Sequence, residues 1–173
     1  MAGCLNLSQE GNVSPENIKR WTASLTNVLL SSTARRRFSE YLDKQEFTEE
    51  LDYLRFWEKC DQFLTTFETT KPYGFNLRSR ESERRKGSTT GKDEWEKKLI
   101  KQSQDILEFA DAEVNFDLGE LDNICSAVES EDIAEIKTAI NDAKLTAANK
   151  LEKKYEGFCR HLLTKKGLLK TEN

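Results

Sequence analysis

The chain has 173 residues, of which 36% are hydrophobic and 34% charged, and a formal net charge of -4. That length supports one compact core with short tails and leaves little for a second. No apolar run approaches the ~20 residues of a membrane-spanning helix, and the opening Met1-Ala2-Gly3-Cys4-Leu5-Asn6-Leu7 lacks the basic-then-apolar order of a secretory signal. Cys4, Cys60, Cys125 and Cys159 are far apart and form no CxxC unit, so reduced thiols in a cytoplasmic protein are expected. A lone histidine, His161, leaves little for a metal site or a catalytic triad.

Two Pro and eight Gly in the whole chain favour long helices over many short strands. Residues 1–13 read as a flexible tail. Ser14-Pro15-Glu16 then supplies an N-cap, a tolerated first-turn proline and an acid near the helix dipole. Ile18, Trp21, Leu25, Val28 and Leu29 follow at helical spacing and define one apolar face. Phe38, Tyr41 and Leu42 mark the next short segment, in which Arg35, Arg36 and Arg37 either face water and counter-ions or offer a phosphate contact. Thr48-Glu49-Glu50 signals another helix start, ahead of Leu51, Leu54, Trp57, Leu64 and Phe67, with Phe56 and Cys60 broadening the face. That strip reads as a central packing element.

Residues 69–91 break the pattern with Pro72, Gly74, Gly87, Gly91 and the charged run Arg78 to Lys86, and are expected to form an exposed insertion. Its Ser82, Ser88, Thr89 and Thr90 are candidates for modification. Asp93 and Glu94 open a further helix carrying Trp95, Leu99, Ile106 and Phe109. At Glu113-Val114-Asn115-Phe116-Asp117 the periodicity lapses, and an uncharged amide stands between acidic neighbours at the joint of two helices. It resumes through Leu121, Ile124, Cys125 and Val128. Ser130-Glu131-Asp132 starts a segment with Ile133, Ile136, Ile140 and Ala143, and Leu151, Tyr155, Phe158 and Leu162 describe a terminal amphipathic helix. A single all-α bundle over residues 14–166, with a tail at 167–173, is the expected fold.

Charge is unevenly placed: residues 71–92 carry +5 and the remainder -9, and 102–136 hold eleven acids and no Lys or Arg. The acidic stretch would repel a nucleic acid and attract a basic protein surface, or it is the solvated side of amphipathic helices. The phosphate loop, the dinucleotide glycine pattern, HExxH and GxSxG are all absent, and Cys159 beside His161 makes no oriented pair. A self-contained enzyme is therefore not expected. An amide such as Asn115 acts without proton transfer, which suits recognition and positioning.

The ordered motifs resemble a regulator of G-protein signalling (RGS) domain from about Asn17 to Leu163. Ile18 to Leu25 is similar to the family's opening helix, and Phe38-Ser39-Glu40-Tyr41-Leu42 to its second helical unit. Phe47-Thr48-Glu49-Glu50 followed by Phe56-Trp57-Glu58-Lys59-Cys60 resembles its acidic loop entry and FW-x-x-C element. Glu113 to Asp117 resembles its EVNLD turn, and Tyr155-Glu156-Gly157-Phe158 its terminal Tyr-x-Arg-Phe. The resemblance implies an RGS-like helical bundle that binds an activated Gα subunit and accelerates its GTP hydrolysis. Asn115 would hold the partner's catalytic glutamine and attacking water, Glu50 would contact the switch surface, and Asp117 would stabilise the turn or meet a basic partner group. The domain itself would bind no cofactor, GTP and Mg being carried by the Gα subunit.

The chain departs from the family at three points. The loop asparagine expected before the Phe-Trp pair is missing from Glu49 to Phe56. Lys153 and Gly157 stand where an acid and an arginine are usual, which removes charge-assisted contacts. Lys19-Arg20-Trp21 and Lys44-Gln45-Glu46 also resemble the RGS-like domain of axin. An RGS-like scaffold that binds a signalling protein or peptide without accelerating hydrolysis is thus the second reading. The third is weak peripheral membrane contact through 78–86, with nucleic acid disfavoured for want of an aromatic groove. The expected location is cytoplasmic, with recruitment to the inner plasma membrane.

Overall fold

The computed structural model describes residues 13–71, 90–165 and 167. Among them every regular element is an α-helix, in the order α1 (Pro15–Trp21), α2 (Leu25–Leu29), α3 (Ser32–Lys44), α4 (Thr48–Thr70), α5 (Thr90–Glu113), α6 (Leu118–Glu129) and α7 (Ile133–Lys165). The all-α class expected from the sequence is thus observed. The chain divides into two compact units, Met1–Tyr41 with Lys154–Asn173, and Leu42–Lys153.

In the first unit, Ser14 caps α1 by accepting from the Asn17 N–H at 3.3 Å, and Pro15 occupies the first turn. The single apolar face expected from Ile18 to Leu29 is split across two helices. Thr22 turns its hydroxyl back onto the Ile18 carbonyl (2.9 Å), and Ser24, in extended backbone, caps a new helix through the Asn27 N–H (3.2 Å). These short polar side chains offer the backbone better local partners than a further helical turn. Asn27 Nδ2 then donates to the Arg20 carbonyl at 2.8 Å, which ties the two pieces together. Arg35 donates to the Leu29 carbonyl at the end of α2, while Arg36 forms an exposed pair with Glu40. The arginine triplet therefore includes one side chain that serves a helix C-terminus, where a cation is favoured.

The core of this unit is aromatic. The Tyr155 hydroxyl donates to the Trp21 carbonyl at 2.9 Å, and Phe158 packs between Phe38 (4.9 Å) and Tyr41 (5.7 Å). Gly157 lies against this cluster, and a Cβ built there would overlap the Tyr41 hydroxyl.

In the second unit, α3 closes with Glu46 in the left-handed region (φ 58°). Phe47 N–H donates to Leu42 O and Glu46 N–H to Asp43 O, both at 3.0 Å, the paired bonds of a Schellman stop with glutamate where glycine is usual. Phe47 is thereby the N-cap of α4, with no side-chain cap bond, and the helix begins at Thr48, where the Thr48-Glu49-Glu50 signal placed a start. Helix α4 buries Leu51, Tyr53, Leu54, Phe56, Trp57, Cys60, Phe63 and Phe67; Phe63 takes the place expected for Leu64, which is only half-buried.

Helix α4 continues through Thr70, and α5 opens at Thr90, ahead of Asp93 and Glu94. The ends of the expected 69–91 insertion are thus helical. Residues 72–89, with the basic run 78–86, Ser82, Ser88 and Thr89, lie outside the described residues, as do Cys4 and 1–12. Trp95 packs on Phe67 at 5.4 Å and donates to Thr70 Oγ1 at 3.0 Å, which joins the facing ends of α4 and α5. Helix α7 meets α4 through Lys144, which pairs with Asp61 at 2.6 Å and lies over the Trp57 ring, and Lys137, which pairs with Glu68 at 2.6 Å.

The two C-terminal helices expected from the sequence are one helix of 33 residues. Asp132 caps it through the Ala134 N–H at 2.8 Å. Ala147, fully buried, carries the apolar stripe from Ala143 to Leu151, and the linking stretch 144–150 contains no Gly or Pro to interrupt it.

The contact at Gly157 gives a direct test. Replacing Gly157 by Ala in a Tyr41→Phe background is expected to stabilise the protein by roughly 0.5–1 kcal/mol, the helix-propensity gain of alanine. With the Tyr41 hydroxyl in place the gain should vanish or reverse; equal shifts in chemical denaturation in both backgrounds would refute the overlap.

Candidate functional site

The turn between α5 and α6 is built from alternating anchors and exposed polar groups. Helix α5 ends at Glu113, and Val114, buried, still donates to Ala110 O at 3.2 Å. Phe116, half-buried, stands edge-on to Tyr53 (5.6 Å) and Phe56 (4.9 Å). Between them Asn115 is exposed. Tyr53, 1% exposed and 62 residues away in sequence, donates its hydroxyl to the Asn115 carbonyl. The backbone of Asn115 is therefore clamped from the core while its amide side chain projects from the surface.

Asp117 fixes the other end. Its Oδ1 accepts from the Glu120 N–H at 2.8 Å, and Glu120 Oε2 accepts from the Asp117 N–H at 3.0 Å, a reciprocal capping box at the start of α6. Of the two roles the sequence left open for Asp117, the geometry supplies a turn-stabilising one. Leu118, the first residue of α6, is 82% exposed beside this box.

From α4, Glu49 accepts a hydrogen bond from Asn115 Nδ2 at 3.3 Å. Glu50, half-buried, follows it in the same first turn. Tyr53 reports the field of this cluster. Burial, then the charges of Glu49, Glu120, Glu50 and Asp117, push its hydroxyl up from 10.0 to about 12. The proton that binds the Asn115 carbonyl is thus retained across all ordinary pH. The fold therefore brings Asn115, Glu50 and Asp117 into one neighbourhood. Sequence reasoning had missed Glu49 and Tyr53 as members. Their spacing of four residues puts them on one helix face, and only the acid next to Glu50 hinted at a wider cluster.

The remaining candidates are placed elsewhere or serve packing. Lys153 is exposed on α7. His161 packs its ring 5.4 Å from Tyr41. Cys60, Cys125 and Cys159 are not disulfide-bonded, and burial pushes the Cys60 thiol well up, which makes it inert. Among the described residues no group of three or more His, Cys, Asp or Glu is placed to hold a metal ion, and no helix is long and apolar enough to cross a membrane.

The turn thus carries an exposed amide on a backbone held by Tyr53, with the carboxylates of Glu49, Asp117 and Glu120 beside it. Over 59 residues the chain is 36% identical to Regulator of G-protein signaling 1 of Xenopus tropicalis, a match that covers 34% of this chain and 28% of that protein. No family model matches the chain, and no solved structure matches it. The similarity is to a regulator of G-protein signalling, over about a third of the sequence.

Two outcomes test the turn. Tyr53→Phe is expected to lower stability by about 1 kcal/mol, the scale of one hydrogen bond with a carbonyl left unmatched. Because the folded value lies above the unfolded one, the contribution of neutral Tyr53 is whole below pH 10 and declines as the pH rises towards 12; denaturation of Tyr53→Phe should lack that part of the alkaline loss. Asp117→Ala should cost ~0.5–2 kcal/mol by removing the cap, with a selective rise in amide hydrogen exchange over the first turn of α6.

Proposed function

We propose that this protein binds the activated α subunit of a heterotrimeric G protein through the Asn115 turn and accelerates its GTP hydrolysis, so attenuating signalling. The observation that carries the reading is the clamped turn itself. An exposed amide whose backbone is fixed by a buried tyrosine has lost its conformational freedom before any partner arrives. Such a group acts by positioning, with no nucleophile, metal or nucleotide of its own. GTP and Mg belong to the partner in this scheme. The partial similarity to a named regulator of G-protein signalling, and the ordered motifs around the turn, support the choice of partner. Glu50 and the neighbouring carboxylates favour encounter with a basic switch surface. The site of action is the cytoplasmic face of the membrane that carries the G protein.

A second reading, an RGS-like scaffold that binds a signalling protein or peptide without acceleration, draws on two single positions. Lys153 is exposed where an acid is usual in the family. At Gly157 the Tyr41 hydroxyl lies where a side chain would begin, so an arginine there would have to displace it.

Single-turnover GTP hydrolysis by a panel of Gα classes, with and without the protein, separates the two. Acceleration, together with tighter binding to the aluminium-fluoride transition-state form than to the GTP-bound form, is expected. Asn115→Ala should reduce the acceleration about tenfold or more while the helical circular dichroism is unchanged. Binding with no acceleration and no nucleotide-state preference would favour the scaffold.

A further inference from the structure

We infer that Glu49 is a positioning residue for Asn115: it holds the nitrogen end of the amide inward, so that the oxygen end is presented to the partner as a hydrogen-bond acceptor. The inference rests on the proposed use of the Asn115 turn as a partner-binding surface and goes beyond it by naming which end of the amide is read.

The chemistry fixes the orientation. An ionised carboxylate has no proton to donate, so the only end of an asparagine amide that can bond to it is the NH2. Glu49 Oε1 lies 3.3 Å from Asn115 Nδ2. The backbone carbonyl of the same residue already accepts from the Tyr53 hydroxyl, which leaves the side-chain oxygen of this exposed residue as the acceptor for a partner. The other acids near the turn are placed for different work. Asp117 and Glu120 are bonded to each other's backbone in the capping box. Glu49 is held in turn by its helix: the first turn of α4 is positioned by the Schellman stop at Leu42–Phe47, so its carboxylate reaches the turn from a fixed base. An amide without this neighbour would present either end, and a partner would have to select one. With it, the surface is committed to a partner that brings an N–H or O–H group to Asn115 Oδ1.

The test has two arms. In the free protein, 15N-resolved spectra of the Asn115 side-chain NH2 are compared for wild type, Glu49→Gln and Glu49→Ala. Glu49→Ala is expected to shift both NH2 protons and average the Asn115 rotamers, whereas Glu49→Gln, whose Oε1 still accepts, retains most of the wild-type pattern. Unchanged Asn115 signals in Glu49→Ala would overturn the inference, whatever the protein binds. In the second arm, affinity for the aluminium-fluoride form of a responsive Gα is measured as a double-mutant cycle. Glu49→Ala should weaken binding about threefold to tenfold, the scale of one net hydrogen bond, and should have no further effect in an Asn115→Ala background. An equal loss in both backgrounds would mean that Glu49 acts by direct contact or by charge alone, and would sink the positioning role. If no Gα class binds the wild type, the proposed function fails and the spectroscopic arm alone decides the orientation of the amide.

Discussion

The hydroxyl of Tyr53 on the carbonyl of Asn115 is the contact on which the geometry of the turn between α5 and α6 depends. It joins residues 62 apart in sequence, and it does so from a side chain that is 1% exposed. A turn of four residues between two helices would ordinarily sample several backbone states at an entropic cost to any partner that needs one of them. Here the aromatic face of α4 removes that freedom. Tyr53 bonds the backbone, and Phe116 packs edge-on against Tyr53 and Phe56. The reciprocal bonds between Asp117 and Glu120 then set where α6 begins. Apolar packing beneath the turn is what holds the backbone of the exposed amide above it.

Electrostatics and packing act together at this point. Burial first, and then four nearby carboxylates, raise the Tyr53 hydroxyl to about 12, which keeps it a proton donor and so keeps the clamp closed. The same charges make the surface around the turn acidic, and because they are exposed or half-exposed their field weakens with salt. One cluster thus caps α6 and gives the turn its acidic field. In the first unit, Gly157 leaves room for Tyr41, whose ring packs on Phe158 and His161. There an aromatic cluster occupies space that an arginine would need.

Much of the helical frame was legible in the chain because its apolar residues recur at helical spacing and few Gly or Pro interrupt them. Errors came where local polar chemistry or a small residue outweighed periodicity. Ile18 to Leu29 has the spacing of one helix, yet Thr22 and Ser24 bond the backbone and divide it. Residues 133–165 looked like two helices because the link between the stripes is Ala147, too small to register as a core position although it is fully buried. The start of α4 at Thr48 was legible, but its cap was not, because that cap is set by the backbone of the preceding helix stop, which no side chain at Phe47 announces.

By itself the sequence determined the all-α class, the break at Asn115 and its acidic setting, since composition, spacing and the identity of short polar residues act locally. Asn115 was visible as an amide between acids, but not which of its groups would be free. The tertiary structure decided that. Tyr53 and Glu49 come from a helix begun some sixty residues earlier, and only packing brings the hydroxyl to the Asn115 carbonyl and the carboxylate to its amide nitrogen. Those contacts are non-local, so no pattern within the turn encodes them; they turn an exposed asparagine into a fixed acceptor.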